Sequence, residues 1–524
     1  MVFSTALGCP CSGIDSIPIP SSPLPDRIGT NYAPTTFERM HTESALTNVH
    51  QDLARLENAL SHLHAVQVRL QVKRDALQKY ADAHTALLSP IRRVPPEILA
   101  KIFLYFLPNE DNDYTADARG QRMLPSHICA RWRDLSLSTP SFWAHISVVV
   151  DKMDISRKLE CAKCWLARSG SCPLKIYICR NAPGYTVQQN SFIEIILPHC
   201  RRWLHASIVT ETVPDLSLIK NNLPMLESVE IELAVSPNDS FQFAPKLCQL
   251  ATNAEEILTN AILPWNQLTH IDVTCCSSQQ LLAVMHKLPN MVSCMVILSS
   301  SRNRAAEPLE YRPIRLEHLD SLGITVETDI NIAGFHECLD LPALKNYTYS
   351  EGIFDVGWHT PSFLSLISRS SCVLRDIVIQ LASPAGPDHL ALLFGGTPSL
   401  KTLDFNCHRL KGMNSNMVLD QLLVTPSSTS CLVPKLNMVT LDYDKDFDFH
   451  ILLNMIQSRW KLDERPNGVR KTPIAEVEVY NIKNTDVIDH GLAERFRELK
   501  ADGLVTVNFF DKEGKKAADW ACGF

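Results

Sequence analysis

Four cysteines, Cys161, Cys164, Cys172 and Cys179, come nearest to a metal centre in this 524-residue chain. Four thiolates can enclose a tetrahedral zinc ion, but a paired knuckle repeats a short Cys-x-x-Cys element, and only the first pair has that form. Cys161 and Cys164 fall on a helical pattern ending at Arg168, and Cys179 at a strand end. Buried free thiols are therefore expected, with no metal and no cofactor. Cys9-Pro-Cys11 lies in a stretch without apolar period and is weaker still. His62, His64, His199, His205, His270, His286 and His318 share no ligand spacing. Nucleophilic catalysis would need a Gly-x-Ser-x-Gly elbow or an equivalent, and nucleotide chemistry a phosphate loop or dinucleotide fingerprint; neither occurs. The expectation is a non-enzyme.

Composition narrows the class. The chain is 45% hydrophobic and 20% charged, ordinary for globular domains, and long enough for several. A net charge of −7 argues against nucleic acid, which needs clustered Lys and Arg. No apolar run approaches the ~20 residues of a membrane span, and residues 1–25 lack the basic start of a signal peptide. Seventeen cysteines without a framework spacing suit a reducing compartment, so a cytoplasmic or nuclear location without membrane attachment is expected.

Residues 1–41, rich in proline and serine, are expected to form a disordered tail. Residues 43–88 then read as a long amphipathic helix: Leu46, Val49, Leu53, Leu56, Leu60 and Leu63 alternate by three and four, and Leu70, Leu77 and Leu88 continue the register. Gln67, Arg74 and His84 fall on the same seam. Two readings stay open: a short coiled coil that self-associates through 46–88, or a helix packed on its own chain.

A docking surface is legible next. Pro95 or Pro96 starts a helix in which Ile98, Leu99, Ile102, Phe103 and Phe106 recur at helical spacing. After an acidic loop at 108–123 come Ile128-Cys129-Ala130-Arg131-Trp132-Arg133 and Pro140-Ser141-Phe142-Trp143. The pattern Pro-x-Glu-Ile-Leu-x-x-Ile-Phe, Ile-Cys-x-x-Trp-Arg, Pro-x-Phe-Trp over residues 90–146 resembles an F-box. That resemblance implies a small three-helix module that binds the Skp-type adaptor of a cullin ubiquitin ligase and, through it, a cullin, while the remainder of the chain selects the substrate. It also implies an adaptor face of Pro95, Ile98, Leu99, Ile102, Phe103 and Ile128, with Trp132 and Trp143 leaning toward the module's own core and Cys129 filling it. The alternative is a scaffold with a degenerate F-box. Trp165 to Ile178 is similar to a segment that follows the F-box in mushroom-forming fungi; there a helix ends at Ser169-Gly170 and a strand holds Ile176 and Ile178. Residues 150–200 are read as a connecting helix and first strand.

From about residue 200 a motif repeats, in which a leading apolar residue is followed by apolar residues three and five positions later. Clear copies begin at Leu226, Leu268, Leu374, Leu400 and Leu436, and weaker ones at Trp203, Leu247, Met291, Leu316, Leu344 and Ile474. Their intervals suit leucine-rich repeats, so 200–510 is expected to be an irregular α/β solenoid, capped by a helix at 493–500 and a strand at 504–509, with a tail at 511–524. Positions two and four after each leading residue would face solvent on the concave side. Seven of these are acidic, namely Glu230, Asp272, Asp320, Asp376, Asp404, Glu476 and Glu478, and none is Lys or Arg. A protein substrate with a basic segment is the partner such a row would steer; the competing reading is that exposed strand positions merely favour small polar and acidic residues.

Overall fold

The computed structural model describes residues 17–105, 107, 118–150, 155–180, 186–209, 216–232, 239–253, 255–299, 313–328, 330–352, 358–382, 386–406, 415–424, 431–443, 446–460, 473–481, 490–501 and 505–511. The chain divides into two compact units, Met1–Leu99 and Ala100–Phe524.

The first unit is dominated by one helix, α1 (Thr36–Leu88). It starts inside the stretch expected to be without structure, because Thr35 closes a capping box: its side chain accepts from the Glu38 amide, while Glu38 Oε2 accepts from the Thr35 amide at 2.8 Å. Such a cap needs only a Thr and a Glu three apart, so apolar periodicity gives no sign of it. Tyr32 adds a bond from its hydroxyl to Glu38 Oε2 at 3.1 Å. Residues 1–16 of the expected tail lie outside the described residues. Along α1 the leucines are exposed apart from the half-buried Leu56, and Ala59 is the only buried side chain.

Helix α2 (Pro96–Leu104) spans the division, and α3 (Ala118–Ile128), α4 (Ala130–Ser138) and α5 (Pro140–Trp143) follow. Of the expected 108–123 loop, residues 118–123 belong to α3 and residues 108–117 lie outside the described residues.

A parallel sheet of fourteen strands then runs in chain order: β1 (His145–Val150), β2 (Leu174–Arg180), β3 (Trp203–Val209), β4 (Ser228–Glu232), β5 (Gln249–Thr252), β6 (His270–Cys276), β7 (Ser293–Leu298), β9 (Ser321–Val326), β11 (Asn346–Glu351), β12 (Asp376–Gln380), β13 (Thr402–Asn406), β14 (Met438–Asp442), β15 (Glu476–Tyr480) and β16 (Thr506–Phe509). β8 (Ile314–Arg315) and β10 (Leu339–Asp340) form a separate two-stranded ladder. Helices such as α6 (Ile155–Arg168) and Thr360–Ser370 alternate with strands, as parallel pairing requires. This arrangement is consistent with a solenoid-like α/β fold. α6 stops where Gly170 takes φ 54°, the left-handed conformation that glycine adopts without strain. The sheet starts earlier than expected: β1 precedes residue 150, because the apolar alternation of His145 to Val148 runs on directly from the Phe142-Trp143 motif and is masked by it. The closing helix is also longer, His490–Ala501, and residues 512–524 lie outside the described residues.

One hydrogen-bond pattern sets the phase of the strands of the large sheet from β5 to β15. The carbonyl of the residue after each leading apolar position accepts two successive amides of the next strand: Lys345 O accepts from Arg375 N (2.7 Å) and Asp376 N (3.0 Å), Arg375 O from Lys401 N and Thr402 N, and Lys401 O from Asn437 N and Met438 N. By this rule Asp320 O, which accepts from Lys345 N and Asn346 N at 2.9 Å, follows a leading Leu319 rather than Leu316. That copy was read three residues early because Leu316 and Leu319 are both buried leucines. The buried residues are those at positions three and five, such as Leu403 and Phe405 or Val477 and Val479, while most residues at positions two and four are accessible, Ser207, Gly323 and Thr440 being buried.

Candidate functional site

Helix α2 presents two rows. Ile98 and Ile102, four apart and so on one side of the helix, are 47% and 39% exposed; Leu99 and Phe103, also four apart, are 0% exposed. Leu99 and Phe103 are therefore closed off from solvent in this chain, while Ile98 and Ile102 stay open to it. Pro95 and Ile128 are exposed. Phe103 packs on the Trp132 ring at 5.0 Å and on Phe142 at 6.4 Å, and Phe142 meets Trp143 edge-on at 5.5 Å. Trp143 is fully buried, its Nε1 donates to Ser136 O at 2.8 Å, and the Arg168 guanidinium lies 4.8 Å from its ring. Trp143 is thus a core anchor tying α4, α5 and α6, and Trp132 is half-buried beside it. Cys129 is exposed, since it is the extended residue just before α4 and does not fill a core position.

Strand register aligns the second set. One row reads Glu230, Ala251, Asp272, Met295, Gly323, Thr348, Val378, Asp404, Thr440, Glu478, Asn508 across neighbouring strands. The parallel row two residues earlier holds Asp376, Thr402, Met438 and Glu476. Six of the seven expected carboxylates therefore share the accessible face. Asp320 does not: it sits before its strand, with Lys345 Nζ 3.5 Å from its Oδ2, because of the three-residue phase error. Two members of the face were missed. Asp442, six residues after Leu436, belongs to the same alternation but is buried, and accepts from Asn481 Nδ2 at 2.8 Å. Lys175 lies in register with His205, so the face is not free of cations; β2 lay outside the stretch read as repeats.

The charge is uneven along the sheet. Lys175, His145 and His205 stand on β1 to β3, whereas Asp376, Asp404, Asp442, Glu476 and Glu478 stand on β12 to β15. Asp404 is the most perturbed of the carboxylates: burial, and then the nearby Asp442 and Glu478, push it up to about 6. Its Oδ1 is buried without a hydrogen-bond partner. The neighbours are satisfied by neutral donors, Tyr480 OH to Glu478 Oε2 at 3.3 Å and Asn508 Nδ2 to Glu476 Oε1 at 3.0 Å. Asp272 is likewise raised, by burial and then by Glu230. Such a face can attract cations and gains most where a cation reaches Asp404.

No protein-family model and no curated protein matches this chain. Among solved structures, a protein of Bacteroides fragilis is similar at 12% identity, with a TM-score of 0.27, covering 57% of this chain and 70% of its own.

Two further constellations bear on chemistry. Cys161 and Cys164 lie on α6, with Cys164 exposed where a buried thiol was expected, and the Cys179 side chain is outside the described set. In the core, His336 Nδ1 lies 3.0 Å from Ser362 Oγ and its Nε2 2.8 Å from Tyr347 OH. A serine and a histidine in contact suggest a nucleophile and base, but His336, Ser362 and Tyr347 are all buried, and burial holds the imidazole down to about 3. A base that stays neutral this far into acid does not take up a proton near neutrality, so the trio reads as core hydrogen bonding. Among the described residues, no helix is long and apolar enough to cross a membrane.

Proposed function

We propose that the chain is a substrate-receptor subunit of a cullin-type SCF ubiquitin ligase, with residues 90–146 as its F-box-like module. In this reading the parallel sheet and its helices are an irregular leucine-rich-repeat horseshoe. The observation that carries the proposal is the split of α2 into a buried Leu99 and Phe103 row and an exposed Ile98 and Ile102 row, beside an F-box-like motif. A helix that keeps two isoleucines in water after closing its core is suited to a partner. Ile98 and Ile102, on one side of α2, are the proposed Skp-type adaptor contacts; Phe103, packed on Trp132 and Phe142, supports the helix from within.

The receptor itself performs no bond chemistry. It raises the effective concentration of a target lysine near a charged ubiquitin carrier, acting in the cytoplasm or nucleus. The target is a protein with a basic segment that seats on the β12 to β15 end, where five carboxylates gather.

Affinity capture of the full chain, compared with an Ile98→Ala/Ile102→Ala variant, tests the adaptor reading. Adaptor and cullin are expected with the wild type and at least tenfold less with the variant, with unchanged thermal unfolding. No adaptor with the wild type would leave the non-ubiquitylating scaffold as the better account.

A further inference from the structure

Helix α1 carries an uncovered apolar seam together with a lengthwise charge separation. Leu46, Leu53, Leu60, Leu63, Leu70 and Leu77 are between 47% and 65% exposed. Helices gain most of their stability by burying an apolar face, and this one buries almost none. Its first half carries Glu38, Glu43, Asp52 and Glu57 against Arg39 and Arg55; its second half carries Arg69, Lys73, Arg74 and Lys79 against Asp75 and Asp82. The halves are therefore oppositely charged.

We propose that α1 pairs antiparallel with α1 of a second copy, about a two-fold axis between Ser61 and His62. This register sets Leu46 against the second copy's Leu77, Leu53 against its Leu70 and Leu60 against its Leu63. Val49 then meets Arg74 and Leu56 meets Gln67, which accounts for the two polar residues interrupting the seam. On the flanks, Asp52 stands beside the second copy's Lys73 and Glu57 beside its His64. A parallel in-register pair would instead bring like-charged halves together and set Asp52 beside Glu57. The seam from Leu46 to Leu77 is about 47 Å long, and covering its side chains on both copies removes on the order of 1,000 Å² from water, the size a specific dimer needs.

A cleft at the end of this seam agrees with the same register. The segment Pro20 to Pro34 lies beside α1 and leaves a cleft of about 370 Å³ lined by Leu24, Ile28, Tyr32, Leu46 and Val49 among others. The antiparallel register delivers Leu77 of the second copy to that place. The proposal is independent of any ubiquitin-ligase role.

Sedimentation equilibrium of the full chain tests it. The 58.8 kDa protein should sediment as a dimer at micromolar concentration. Asp52→Lys should weaken the dimer about fivefold or more, since two symmetric ion pairs become repulsions. Adding Lys73→Asp should restore it. Positions 52 and 73 are about 32 Å apart along one helix, so the rescue cannot arise within a copy, nor from the Asp52 to Arg55 contact, which the double variant does not rebuild. A monomeric wild type, tightening by Asp52→Lys, or no rescue in the double variant would each overturn the proposal.

Discussion

Replacing Asp404 by Asn should stabilise the protein at neutral pH while weakening its hold on a basic partner. Burial and the approach of Asp442 and Glu478 raise the Asp404 carboxyl from its usual 3.8 to about 6 in the folded chain. Its folded value lies above its unfolded one, so the folded state holds the proton more tightly, and stability falls as pH rises through the window from 3.8 to 6. The full difference corresponds to roughly 3 kcal/mol against the fold above pH 6. Asn keeps the shape without the charge and removes that cost. Urea unfolding of the two proteins, followed at pH 7.5 and at pH 3.5, should show the variant more stable by about 2 to 3 kcal/mol at the higher pH and nearly equal at the lower. The same variant should bind a Lys- and Arg-rich peptide several-fold more weakly at pH 7.5. A variant less stable than the wild type at pH 7.5, or a difference independent of pH, would refute the reasoning.

Three further outcomes follow from buried polar groups. Arg459, 1% exposed, donates to the carbonyls of Leu422 at 3.1 Å, Leu432 at 3.4 Å and Val433 at 2.6 Å, so Arg459→Met should cost about 3 kcal/mol or more by chemical unfolding, because several buried acceptors lose their donor together. His336 has its folded value lowered from 6.5 to about 3, so it favours the fold when neutral and stability should drain away as pH falls from 6.5 toward 3, by up to roughly 5 kcal/mol; His336→Gln should flatten that part of the unfolding profile. Trp143→Phe should lower the melting temperature through loss of the bond to Ser136 O and of packing, with a cost of about 2 kcal/mol on calorimetry.

The sequence by itself determined which strand residues form the core, since apolar residues three and five after each leading position have nowhere to go but inward, and Leu403, Phe405, Val477 and Val479 went there. It likewise determined that a long helix precedes the Pro95 motif and that Gly170 ends a helix. The start of α1 was not legible, because a capping box acts through two side chains and leaves no periodic trace. The phase of the Leu319 copy was equally hidden: Leu316 and Leu319 are both buried, and only the paired amides converging on Asp320 O decide between them. Sequence spacing named the face of α2 as apolar, yet it could not tell Ile98 from Leu99; packing of Phe103 on Trp132 and Phe142 turned one row inward and left the other in water. The acidic face shows the same division. Its residue types were readable one strand at a time, whereas the gathering of Asp404, Asp442 and Glu478 depends on cross-strand register, because residues about 40 apart in the chain become neighbours only when parallel strands pair.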